Sequence, residues 1–156
     1  MSRDWRRRLE TVSTVLVVAV FFACCNSPRV TISTKGGKDV ALRVQVADTS
    51  AKRELGLQYR RNLDEDRGML FLYRSERIQT FWMKNTPIPL DLIFIGGDRR
   101  IVGIIQESVP FSTATLSVPT PSQFVLEIKG GLSRQRGIQV GDLVHFEGIS
   151  LEGIKE

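Results

Sequence analysis

Cysteine is nearly missing from this 156-residue sequence: there are two, Cys24 and Cys25, side by side near the N-terminus. The body that follows therefore has no internal disulfide, no thiolate metal site and no cysteine nucleophile. Histidine is scarcer, with His145 the single example. It lies in LVHFE (residues 143–147), on the side opposite Val144 and Phe146, and is expected to face solvent. A Ser-His-Asp arrangement would hinge on that one residue. No histidine, cysteine or acid cluster has zinc-ligand spacing, so no metal is expected. No glycine-rich strand-turn-helix is present to cradle phosphates, and no cofactor is expected. Internal repeats and low-complexity tracts are also missing.

Charge of one sign is not concentrated anywhere in the body. The formal net charge is +5, and Arg3, Arg6, Arg7 and Arg8 against Asp4 and Glu10 supply +2 of it within residues 1–23. Elsewhere the signs are interspersed, as in Lys52-Arg53-Glu54 and Asp64-Glu65-Asp66-Arg67. That pattern describes a mixed solvated surface and not a nucleic-acid face. Length and a hydrophobic fraction of 42% fit one domain with a core of its own.

The N-terminus has the layout of an export signal. A cationic stretch, MSRDWRRRLE, precedes an uncharged apolar run from Thr11 to Ala23. The run is shorter than the ~20 residues that span a bilayer comfortably, so cleavage is favoured over a permanent anchor helix. FFAC (residues 21–24) resembles a bacterial lipobox, with Ala23 before the cut and Cys24 as the acylated thiol. Phe21 replaces the usual leucine. The expected organisation is a signal peptide over 1–23, a tether and first mature residues over 24–38, a β-rich domain over 39–150 and a C-terminal tail over 151–156. The expected location is the cell envelope, with the membrane as partner through the N-terminal lipid or an uncleaved signal.

The body alternates short apolar runs with Gly and Pro punctuation. A first short strand is expected at 30–33. Val40, Leu42, Val44 and Val46 then alternate with other residues, the period of a half-buried strand. Asp48 or Thr49 can cap a short helix that Gly56 ends. Further strands are expected at 69–73, 80–85, 90–95, 99–107, 124–128 and from Leu143. Gly96-Gly97 marks a hairpin turn, residues 109–123 a long loop, and GLSRQRG (residues 131–137) one helical turn. The fold class is mostly β, a small single-domain barrel or sandwich with one or two short helices.

Several motifs carry a family resemblance. They are AD (47–48), Arg53, GL (56–57), Arg60, GMLF (68–71), FWMKNT (81–86), PLDLIF (89–94), VLE (125–127) and VGD (140–142). Together they resemble the bacterial and archaeal family called domain of unknown function 192, over about residues 40–146. FWMKNT followed closely by PLD is the most specific part. The resemblance implies a compact, mostly β domain, often exported, and it implies no activity. Gln58 stands where many members have methionine, and LSVPTPSQ (116–123) where many have a cysteine or tyrosine.

Candidate binding residues cluster in the same motifs. On a strand, Phe81 and Met83 would enter the core, leaving Trp82 and Lys84 side by side on the other face. An aromatic surface beside a cation suits sugars or anionic groups; alternatively Trp82 packs under a loop and Lys84 pairs with Asp91. Asn85, before Thr86-Pro87, is expected to bond the backbone of a fixed turn. Asp91 opens an otherwise apolar strand and needs a partner, for which Lys84, Arg53 and Arg60 are the candidates. The favoured function is a non-catalytic binding module for a small ligand, glycan or partner protein. A hydrolase of envelope polymers using Asp91 with Glu127 or Asp48 is the alternative, and a structural or accessory envelope subunit is the third.

Overall fold

The computed structural model describes residues 27–155. The expected signal peptide and Cys24 lie outside the described residues. The described residues form one small, mostly β domain with two short helices. Its strands are β1 (Arg29–Ser33), β2 (Asp39–Ala47), β3 (Arg67–Arg77), β4 (Leu90–Ile95), β5 (Ile101–Ser108), β6 (Ser122–Lys129) and β7 (Leu143–Glu147). The helices are α1 (Ser50–Leu55) and α2 (Leu132–Arg136).

All strands join one sheet in the order β5-β4-β6-β3-β2-β1-β7. Every pairing is antiparallel except β2 with β3. Parallel neighbours need a crossover, and the segment bearing α1 provides it. Thr49 caps α1, its hydroxyl accepting from the Lys52 amide, and Gly56 ends it with φ 49°. Asp48 instead pairs with the Lys52 ammonium at 2.7 Å, which holds its carboxyl below the ordinary range.

The sheet curls into a half-barrel whose two edges meet at one end. There the Ile101 amide donates to Asp142 O, the Gly141 amide to Ile101 O and the Val144 amide to Arg99 O. The Arg99 guanidinium lies 3.9 Å from the Phe146 ring centroid and 4.5 Å from that of Phe124, closing the interior. The buried Asp142 carboxylate fixes the turn into β7 by accepting the Lys35 and Gln139 amides.

Both faces of the central strands are covered. Inside the curl, Leu70, Leu72, Ile93, Ile95, Phe124, Leu126 and Ile128 form one core with Val30, Leu42 and Val144. On the outer face, Met69, Phe71, Leu90, Leu92, Phe94 and Val125 form a second, roofed by Leu57, Leu63 and Met83. This explains why MLFLY and LDLIFI are apolar at consecutive positions, because a strand buried on both sides has no solvated face to alternate with. Gly68 lets β3 and β6 close, since a Cβ there would stand 2.8 Å from Glu127 O. In the C-terminal tail, Ile154 is buried in the inner core.

One expected element is different. Residues 80–85 are not a strand: Phe81 alone makes a bridge, to Leu116, and the Met83 amide donates to Ser112 O in the loop. Asn85 has φ 56°, which breaks an extended run, and Pro87 and Pro89 offer no donors for a ladder. The alternation of sides persists, with Met83 buried and Trp82 and Lys84 exposed. β3 also runs past Tyr73 to Arg77, its polar end exposed.

Candidate functional site

A cleft of about 340 Å³ opens on the outer face between α1 and the loop over residues 80–86. Arg53, Glu54, Leu55 and Gln58 form one wall, and Thr80, Phe81, Trp82 and Thr86 the opposite one. Phe71 and Tyr73 of β3 and Glu127 of β6 line its base. The wall at Phe81 is held by edge-to-face contacts with Phe71 at 5.1 Å and Phe94 at 6.1 Å. With Phe81 fixed inward, Trp82 is turned outward and is 53% exposed.

Glu127 is the chemically unusual group. It stands between Met69 of β3 and Leu92 of β4 in register, on the outer face of the sheet. It is 5% exposed, and its Oε2 has no hydrogen-bond partner among the described residues. Burial among apolar side chains disfavours the anion, and it pushes this carboxyl from the ordinary 4.5 up to about 8. At neutral pH the floor of the cleft is therefore a neutral carboxylic acid with hydrogen-bonding capacity unspent.

The walls are stiff. Arg53 donates to Leu72 O at 3.0 Å and to Lys155 O at 2.7 Å, and its guanidinium lies 5.2 Å from the Tyr73 ring centroid. Three non-glycine residues with left-handed backbone meet at the rim: Tyr59 (φ 63°), Asn85 (φ 56°) and Phe111 (φ 61°). The Tyr59 amide donates to Asn85 O, and the Phe111 amide to Thr86 O. Asn85 Nδ2 donates to Gln58 Oε1 and Tyr59 Oη. Conformations of this kind cost about 1–3 kcal/mol each and persist where surrounding bonds enforce them. Asn85 is thus a turn residue bordering the cleft wall.

The sequence-derived candidates are only partly gathered. Trp82 and Arg53 line the cleft. Lys84 stacks on Trp82, its Nζ 5.9 Å from the ring centroid, without lining it. Arg60 bonds Gln45 Oε1 and borders a separate depression with Arg43 and Asn62. Asp91 is elsewhere. It is fully buried, and its carboxylate accepts the amides of Glu107 (2.7 Å), Gly131 (2.9 Å) and Ser133 (2.8 Å). Its partners are backbone donors, Glu107 of β5 and Gly131 and Ser133 at the entry to α2, neither Lys84 nor the arginines. In register it lies opposite Ile128 on the inner side, so Asp91 and Glu127 point to opposite faces of the sheet. The carboxylate pair expected for a hydrolase is not assembled from these two. His145 is exposed, as its position in β7 implies.

The family model for domain of unknown function 192 (DUF192), described as "Uncharacterized ACR", matches residues 31–146. The chain belongs to the DUF192 family. No curated protein matches it. Among solved structures, it is similar to a protein of unknown function from Novosphingobium aromaticivorans DSM 12444, with 42% identity and a TM-score of 0.72. That match covers 75% of this chain and 83% of the other. It is also similar to a protein from Sinorhizobium meliloti 1021 provisionally named a transcription regulator, with 37% identity and a TM-score of 0.74 over 78% of this chain and 95% of the other. The DUF192 motifs divide between the two tasks seen here. PLD and VGD supply the buried carboxylates Asp91 and Asp142, whereas GL, GMLF, FWMKNT and VLE supply the cleft.

The raised Glu127 value makes stability depend on pH. The folded chain keeps the proton that the unfolded chain gives up, so the stabilisation is fully present below 4.5, declines as pH rises, and is gone above about 8. Urea unfolding across this window should show a decline approaching ~1.4 kcal/mol per pH unit in the native chain relative to Glu127→Gln. Parallel profiles for the two proteins would remove the claim.

Proposed function

We propose that this chain is an exported, lipid-tethered binding protein whose cleft takes a small uncharged ligand. The ligand has a flat apolar face and a hydrogen-bond acceptor at its buried end. The observation that carries this reading is the unpartnered Glu127 Oε2 on the floor of an aromatic-walled cleft. A neutral acid donates one hydrogen bond to an acceptor, and Phe71, Phe81 and Trp82 offer ring faces for an apolar surface. Arg53 and Glu54 offset one another in formal charge, and two of the five Arg53 N–H groups are engaged by carbonyls. The lining therefore favours no ligand of either sign. A volume of about 340 Å³ suits a ligand of one or two rings.

Export and tethering rest on the N-terminal layout, with Cys24 as the acylated residue. The intact mass of the membrane-extracted protein should correspond to a chain beginning at a lipid-modified Cys24. An unmodified N-terminus beyond Cys25 would exclude the tether.

Protein-observed NMR titration with a panel of uncharged cyclic compounds (hexoses, lactams and nucleobases) tests the cleft. Hits should perturb the amides of Leu57, Phe81 and Glu127, and their affinity should fall as pH passes about 8. Glu127→Gln keeps an amide donor and should bind without that pH dependence. Glu127→Ala should weaken binding roughly tenfold, the ~1.4 kcal/mol of one hydrogen bond. Hits that map away from the cleft, or are indifferent to Glu127→Ala, would overturn the reading.

A further inference from the structure

The rim of the cleft carries a cluster of exposed apolar side chains. Leu55 is 55% exposed, Tyr59 69%, Trp82 53% and Phe111 64%. Leu55 and Trp82 border the cleft, Tyr59 is bonded to Asn85, and Phe111 is bonded to Thr86, both in the same loop as Trp82. Two exposed cations accompany them: Lys84 stacks against Trp82, and Arg61 lies two residues beyond Tyr59. Side chains with an apolar body and a polar tip, set among lysines and arginines, are the composition of a surface that rests in a lipid headgroup layer.

The proposed tether is short and joins the described domain beside β2. β1 is antiparallel to β2, and Pro28 O accepts the Val44 amide. From Val44, β2 runs on through Ala47 to α1, which forms one wall of the cleft. Three residues separate Cys24 from Pro28, a reach of at most ~14 Å over four positions. An acyl chain on Cys24 thus holds the domain within a side chain or two of the headgroups.

We infer that the cleft rim docks on an anionic bilayer, seating Leu55, Tyr59, Trp82 and Phe111 in the interface so that the cleft opens toward the lipid surface. The inference rests on the tether proposed above. Lys84 and Arg61 then face anionic headgroups, and docking weakens as salt screens them.

Of the two tryptophans in the sequence, Trp5 belongs to the signal peptide that the tether requires to be removed, so a chain beginning at Cys24 emits from Trp82 alone. This mature protein, purified from membranes, would be reconstituted in phosphatidylethanolamine and phosphatidylglycerol vesicles with brominated acyl chains. Trp82 should lose most of its emission, relative to vesicles without bromine, and shift to the blue. Adding Leu55→Ser and Tyr59→Ser should restore the emission while flotation with the vesicles and the circular dichroism stay unchanged. A chain that floats with Trp82 unquenched overturns the docking and leaves the tether standing. A chain that does not float overturns both.

Discussion

The structure depends on one constraint: β4, β6 and β3 are buried on both faces. A half-barrel needs only its concave side filled, yet here α1 and the long loops roof the convex side with a second apolar cluster. Any polar group on these strands is then desolvated whichever way it points, and must either find donors or stay neutral. Asp91 and Glu127 show the two solutions. Asp91 points inward at the barrel end, where three backbone amides converge on it and keep it satisfied. Glu127 points outward between Met69 and Leu92, where no donor reaches Oε2, and it keeps its proton. Neighbouring strand positions thus become a structural clamp and a buried neutral acid.

Much of the fold was legible because it rests on local rules. Glycine and proline punctuation marks most strand boundaries, Thr49 and Gly56 delimit α1, and the alternation in β2 and β7 orients their side chains. The exception, residues 80–85, looked extended because Phe81 and Met83 do enter the core. Its backbone is instead organised by distant partners, Leu116 and Ser112, and by the left-handed Asn85. Nothing local encodes those partners.

The site was legible only in part, for a related reason. Trp82 and Arg53 stand out as residue types, and both line the cleft. Asp91 stood out equally, as an acid in an apolar run, and proved to serve the entry to α2. Glu127 gives the same signal within FVLEI (residues 124–128), but a sequence does not say which of two such acids meets amides and which stays buried without a donor. That is decided by pairing between β4 and β6, some 35 residues apart in the chain, with one residue placed on each face. The cleft itself is assembled from α1, β3, the loop at 80–86 and β6. The DUF192 motifs are scattered along the chain because each contributes one wall.

The central claim is that Glu127 is a neutral acid at the floor of the cleft. The most direct test is the titration of its side-chain carboxyl carbon by NMR, assigned by comparison with Glu127→Gln. The account predicts a single transition near 8, well separated from the other glutamates. A transition close to 4.5 would show that the group is solvated or paired, and would contradict the account.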